Sequence, residues 1–425
     1  MQVHLTALGC RLNEAELERW ARAFQEQGYE IARETAGADL IVVNTCAVTQ
    51  EAVRKSRKLL RRAQRQNPQA KLVVSGCFAT LEPLDPSGID LLVPNQDKDR
   101  LVEIAIAALD LPSMSKMAPD SPPLFSRGRH RAFVKVQDGC RHRCSFCVVT
   151  LARGEERSRK LDSVIAEINT LVEEGVQEAV LSGVHLGGWG NDFGLALPDL
   201  IEAVLRHTDL PRLRLGSLEP WGIADRFWAL FENPRCLPHL HLPLQSGSDR
   251  ILRRMARRCR RADFLRLVQQ ARDCVPDLNL STDIIVGFPG ETEGDWRQTL
   301  ELVESVGFSQ VHTFLYSPRR GTKAAELPDP VPPAIQRARS RAMHELVEDM
   351  RRRIFQAQLG RTSAVLIEGP FSGNRAEWFG YTANYLPVRL RLPAGDWSNR
   401  ILEVPLELHP EGAHLYADLL GQRHE

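Results

Sequence analysis

Gly139-Cys140-Arg141-His142-Arg143-Cys144-Ser145-Phe146-Cys147 sets three thiols in the spacing C-x3-C-x2-C. Such tight spacing suits three soft ligands wrapped round one corner of an iron–sulfur cluster. Three protein ligands on a four-iron cube leave one iron open, so the centre can bind a small molecule as well as pass electrons. A zinc knuckle lacking its fourth ligand, or three unrelated buried thiols, also satisfies the spacing. His142 offers zinc a nitrogen, but zinc pairs more often read C-x2-C with a second pair downstream. Just before the loop, Ala132-Phe133-Val134-Lys135-Val136-Gln137 alternates as a strand does, which puts Cys140 past a strand's carboxyl end.

Strand and helix patterns alternate from that loop to about residue 350. Strands are expected at Glu178–Leu181, Arg212–Leu215, His239–Leu242, Asn279–Val286 and Gln310–Leu315. Helices are expected at Ser163–Glu174, Asp249–Arg257, Ala262–Cys274, Gly294–Val306 and Ile335–Gln358. With the strand before Cys140 this makes about six βα units, two short of a closed barrel. The loops past the strands carry the candidate ligand contacts. Gly183 lies in the glycine-rich run Ser182–Gly188, where backbone can approach a ligand closely. Ser217 and Glu219 follow the third strand, and Gln245 and Asp283 lie at or near the ends of later ones. An acid at such an end reads as functional more often than structural.

Toward the N-terminus, three short apolar runs each end in a cysteine: Val3–Cys10, Leu40–Cys46 and Leu72–Cys77. Helical patterns at Glu14–Gln27 and Thr49–Gln66 separate them, which predicts a parallel sheet with helices on its faces. The strand ends of such a sheet share one edge, where ligands bind. Cys10, Cys46 and Cys77 would converge there as a second three-thiol site; buried thiols without a role are the plainer alternative. The helix Arg54–Arg65 is basic, suiting either a solvated face or a surface that tracks RNA phosphates.

The fold class expected is α/β, in three domains. Residues 1–110 form a parallel α/β domain, 111–131 a Pro- and Ser-rich linker, 132–358 a partial (βα)6 barrel, and 359–425 a small β-barrel. In the last, Trp378, Phe379, Tyr381 and Tyr385 either stack on bases or fill the barrel. The 55 basic and 54 acidic residues nearly cancel, so any nucleic-acid surface must be local. No apolar run reaches membrane-spanning length and the start lacks a signal-peptide layout, so the chain reads as cytoplasmic with no membrane partner. Nine cysteines in such a chain argue for metal or catalytic thiols over disulfides. Cys236, Cys259 and Cys274 have no partners at metal spacing.

The loop at 139–147 resembles that of the radical S-adenosylmethionine (SAM) enzymes. Three further runs resemble the tRNA methylthiotransferases: Gly9-Cys10-Arg11-Leu12-Asn13, Asn44-Thr45-Cys46 through Lys55-Ser56-Arg57, and Ser75-Gly76-Cys77. The resemblance spans nearly the whole chain and includes a C-terminal TRAM domain, with Gly380-Tyr381-Thr382-Ala383-Asn384-Tyr385 as its motif. It implies two [4Fe-4S] clusters, one on Cys140, Cys144 and Cys147 and one on Cys10, Cys46 and Cys77. It implies SAM as radical source and methyl donor, contacted near Gly183, Ser217, Glu219, Gln245 and Asp283. Arg153, in the run Ala152-Arg153-Gly154, would hold the SAM carboxylate or an RNA phosphate. The implied reaction places sulfur and methyl on C2 of a modified adenosine, after a SAM-derived radical removes hydrogen there.

Implied partners are the tRNA anticodon stem-loop, an electron donor such as flavodoxin or ferredoxin, and a sulfur source. Val48-Thr49, the Lys-Ser-Arg run, the Val134–Cys140 lead-in and the Ser182–Gly187 loop resemble the MtaB branch, which acts on N6-threonylcarbamoyladenosine at position 37. The alternatives are a MiaB-type enzyme acting on isopentenyladenosine and, in another class, a non-enzymatic RNA-binding protein stapled by zinc. Thr150-Leu151 and Cys259-Arg260 depart from the family pattern.

Overall fold

The computed structural model describes residues 1–82, 88–112, 114, 131–371, 374–409 and 414–420. The expected linker falls almost wholly outside these residues.

The N-terminal strands Gln2–Ala7, Glu30–Ala32, Leu40–Thr45, Lys71–Gly76 and Leu91–Val93 form one all-parallel sheet. The first strand lies between the second and third, and the fourth and fifth follow outward, a doubly wound order. Leu40–Thr45 is buried along its whole length because helices cover both faces. Alternate side chains serve opposite cores. Leu40 and Val42 pack with Trp20, Phe24 and Leu101, while Ile41 and Val43 pack with Val53, Leu60 and Phe78. The short strands at 30–32 and 91–93 and the helix Leu101–Ala108 carry too little pattern to have been found in the sequence.

The central strands are Arg131–Lys135, Glu178–Ser182, Arg212–Leu215, His239–His241, Asn279–Val286 and Gln310–Leu315. The first three and the last three pair in parallel. The bridges Leu213↔Cys236 and Ser217↔His241 join the two halves. Six strands thus neighbour one another in sequence order. Helices including Leu161–Glu173, Leu197–His207, Arg261–Cys274, Glu293–Val306 and Pro333–Gln356 pack outside, around a core that contains Val134, Ile168, Leu213, Phe264 and Met343.

After this barrel, strands Thr362–Phe371, Asn374–Thr382, Pro387–Arg391, Ile401–Pro405, Glu407–Leu408 and Leu415–Asp418 form one sheet. Its two edges are 401–405 and 407–408, which are halves of one continuous stretch around Leu406. The sheet therefore closes on itself as a small barrel, filled by Val365, Ile367, Trp378, Val388, Leu390 and Leu415.

The motif at 380–385 faces the central barrel instead of solvent. The Tyr381 and Tyr385 rings stack at 4.6 Å. Arg131 lies over both, and Arg214 lies 4.5 Å above Tyr385. Arg212 donates to the Thr382 carbonyl at 3.0 Å, and Asn279 to that of Asn384 at 2.7 Å. Trp378 fills the small barrel. Phe379 packs edge-on against Tyr381 at 5.0 Å, so all four aromatics, expected either to stack on bases or to fill the barrel, make contacts within the protein.

Candidate active site

Each N-terminal cysteine stands just past the carboxyl end of its strand, and the motif residues around it hold the loops together. Asn13 donates to the Leu8 and Thr45 carbonyls at 2.7 and 3.2 Å, tying the Cys10 loop to the Cys46 loop. Ser56 accepts from the Cys46 amide at 3.1 Å and donates to its carbonyl at 2.9 Å. Gly76 adopts φ +105°, and a side chain there would meet the Thr45 carbonyl at 2.2 Å; only glycine delivers Cys77 to this edge. Cys46 and Cys77 are buried and Cys10 is exposed. Burial raises the Cys46 thiol to about 11, and the proximity of Cys10 and Cys77 adds to the rise.

The second triad is built on Asp138-Gly139. Gly139 takes φ +70°, with the Glu155 carbonyl 1.8 Å from where a Cβ would sit. The buried Gln137 side chain donates to the Gly139 carbonyl at 2.9 Å and accepts from the His185 amide at 2.8 Å. It thereby joins the cysteine loop to the glycine loop that contains Gly183. Thr150, one of the departures from the family pattern, donates to the His142 carbonyl at 3.0 Å. Burial raises Cys140 to about 11 and Cys147 to about 12, and each is raised further by the neighbouring thiols. Arg257 reaches Cys144 at 3.8 Å and Glu219 at 2.6 Å, so Glu219 is held beside this triad.

Ser217 is exposed at the end of its strand. Gln245 pairs by backbone with Asp283 and Ile285 and holds φ +74°. Such strain in a non-glycine residue costs on the order of 1–3 kcal/mol and clusters at ligand sites. Asp283 is turned toward His241, at 3.2 Å.

Arg153 is redirected. Its guanidinium is buried and donates to Glu16 and Asp138, each at 2.9 Å, and to Asn13 at 2.8 Å. Glu16 also receives Lys98 and Lys135. This network joins the helix behind Cys10 to the residues flanking the second triad, and it engages the guanidinium expected to hold a SAM carboxylate or an RNA phosphate. The domains meet again where Gln50 donates to Ser317 at 3.1 Å and Arg319 to Glu82 at 3.0 Å. The N-terminal domain therefore touches both the first strand of the barrel and the loop after its last. The Cys140 loop follows the first of those strands, and Arg153, six residues past Cys147, ties that segment to Asn13 beside Cys10.

Cys236 and Cys259 are buried, and burial pushes both thiols up to about 12, which makes them inert. Cys274 is exposed.

A six-strand partial barrel with C-x3-C-x2-C past its first strand defines a radical SAM enzyme. Residues 134–303 match the Radical SAM superfamily, and residues 2–88 match Uncharacterized protein family UPF0004. The fold is shared with the radical SAM methyltransferase TsrM of Kitasatospora setae, at TM-score 0.57 and 17% identity over 76% of this chain and 75% of that one. Threonylcarbamoyladenosine tRNA methylthiotransferase MtaB of Thermotoga maritima is 35% identical over 86% of each chain. The MtaB of Bacillus subtilis is 33% identical over 90% of this chain and 88% of its own. tRNA-2-methylthio-N(6)-dimethylallyladenosine synthase of Chloroflexus aurantiacus is 35% identical over 95% and 88%. This chain belongs to the radical SAM tRNA methylthiotransferases and is MtaB-like.

Proposed function

We propose that this chain places a methylthio group on C2 of N6-threonylcarbamoyladenosine at position 37 of tRNA, with two [4Fe-4S] clusters and SAM. The observation that supports the reading is that two separate thiol triads lie on strand-end loops tied together by the buried Arg153 network. Cys140, Cys144 and Cys147 would hold one cluster and Cys10, Cys46 and Cys77 the other. Three soft thiolates in each set suit a four-iron cluster with one open iron. Among the described residues, neither triad brings its three sulfurs within 4.8 Å of one another. Tetrahedral zinc with Zn–S bonds near 2.3 Å would need sulfurs about 3.8 Å apart. When bound, the loop cluster and SAM supply a one-electron cleavage that yields a carbon radical, strong enough to take hydrogen from an aromatic carbon.

The chain's own residues position and shield. Glu219, held by Arg257, would meet the SAM ammonium, and Gly183, Ser217 and Gln245 would contribute further contacts. The Arg153–Glu16 network fixes the spacing between the triads. The exposed cations of Arg54–Arg65 would track tRNA phosphates, and the C-terminal barrel would extend that surface. A flavodoxin or ferredoxin would supply electrons, and a separate sulfur source would feed the N-terminal centre. The reading places the protein in the cytoplasm with its tRNA; among the described residues no helix is long and apolar enough to cross a membrane.

Relatives named for dimethylallyladenosine match at similar identity, so the test offers both substrates. Reconstituted protein receives SAM, reductant and sulfide, with tRNA bearing either modified adenosine, and nucleosides are read by mass spectrometry. Methylthiolation of threonylcarbamoyladenosine alone is expected. Methylthiolation of the isopentenyl nucleoside instead would overturn the substrate assignment.

A further inference from the structure

The last three barrel strands carry a polar cluster that includes Asp283, a residue the resemblance set near SAM. His241, Asp283 and His312 come from the last three barrel strands, and their ligand atoms lie within 4.8 Å of one another. His241 meets Asp283 at 3.2 Å through Nε2 and the Ser281 hydroxyl at 2.9 Å through Nδ1, so its ring is fixed. The His312 ring is 5.6 Å from that of His241 and is exposed. Phe314, two residues along the same strand face, is also exposed, at 44%. Exposure of this inward face on the last strand marks a cleft open to a large substrate.

The N-terminal domain adds a cation, Arg11. It follows Cys10 directly, and its guanidinium lies 5.0 Å over the Phe133 ring on the first strand. It pairs with Glu14 at 3.0 Å yet leaves its side chain 60% exposed. Arg11, over the first barrel strand, and His312, exposed on the last, stand on the two strands that flank the opening. The cleft beside the N-terminal triad thus has one cation, two imidazoles and one carboxylate on its walls. An apolar isopentenyl substituent would offer these groups no hydrogen bond, whereas a carboxylate- and hydroxyl-bearing one would add charge-assisted bonds to them.

We propose that Arg11, His241, Asp283 and His312 form the pocket for the threonylcarbamoyl substituent, with Arg11 and His312 taking its carboxylate and the His241–Asp283 pair its hydroxyl. This rests on the substrate reading above and adds what enforces it. A site built to bond a polar substituent rejects an analogue lacking it more strongly than an apolar pocket rejects a polar one. Phe314 is placed to pack against the base.

The test is fluorescence anisotropy with the reconstituted holoprotein and two anticodon stem-loops, one with threonylcarbamoyladenosine at position 37 and one with plain adenosine. The readout is the ratio of their affinities. Wild type is expected to prefer the modified stem-loop by about tenfold or more, the scale of a charge-assisted bond. Arg11→Met and His312→Leu should each lose most of that preference, and Arg11→Lys should restore part of it. Variants that keep the wild-type ratio overturn the pocket alone. Wild type without any preference, together with methylthiolation of the isopentenyl nucleoside, overturns the substrate reading and the pocket with it.

Discussion

Arg153 donates to Glu16 at 2.9 Å, from the segment behind one cysteine triad to the helix behind the other. Glu16 receives Lys98, Lys135 and Arg153, and all four side chains are at most 5% exposed. A buried charge set of this kind adds little net stability but is costly to break. Glu16→Gln leaves three buried cations facing one carboxylate fewer. It should cost roughly 3–5 kcal/mol in denaturant unfolding. A loss below about 0.5 kcal/mol, the surface-substitution range, would show that the network does not hold the domains together.

The same network sets an acid limit. Burial alone would raise both carboxyls, but Arg153 and the lysines outweigh it, holding Glu16 well below its ordinary value and Asp138 at about 2. Depressed carboxyls stabilise the fold above their unfolded values, near 4, and that stability is lost as pH falls through the folded ones. The unfolding midpoint should therefore be steady from pH 7 to about 5 and fall below about 4. Glu16→Gln should flatten that fall. An equal fall in wild type and variant would place the acid sensitivity elsewhere.

Tyr385 holds φ +68° with its ring between Arg131 and Arg214. A bulky residue keeps that backbone only where its contacts over-determine it. Tyr385→Ala should lower stability by about 2–4 kcal/mol through lost packing and cation–π contact. Once corrected for the folded fraction, tRNA affinity should be unchanged. A specific loss of RNA affinity at full stability would restore the stacking role.

The helix Gln50–Gln66 buries Val53, Ser56, Leu60 and Ala63 and exposes every one of its seven cations. Replacing Lys58, Arg61 and Arg62 by Ala should lower the slope of log affinity against log salt by about 2 for tRNA, at roughly 0.7–0.9 per phosphate contact. An unchanged slope would make this a solvated face.

The cysteine positions were legible because chemistry and periodicity agree there. A thiol past each of three N-terminal strands, and three past the first barrel strand, needs only the strand pattern to be placed. The six-unit barrel followed from the same alternation. The Arg153 network was not legible because its partners, Glu16 and Asp138, are polar residues with no signature of their own; only the docking of the first helix on the barrel brings them together. Tyr381 and Tyr385 look alike in sequence whether they face RNA or another domain. His241, Asp283 and His312 come from three strands separated in the chain, and only the parallel register, which sets Asp283 opposite His312, makes them neighbours.

The most direct measurement is iron and labile sulfide in anaerobically reconstituted protein, for wild type and for the triple variants Cys10/Cys46/Cys77→Ala and Cys140/Cys144/Cys147→Ala. Two independent four-iron centres predict about eight irons in wild type and about four in each variant. Only the variant keeping Cys140, Cys144 and Cys147 should cleave SAM under reductant. Zinc in place of iron, or iron that does not change when either triad is removed, would contradict the two-cluster enzyme and leave an RNA-binding scaffold.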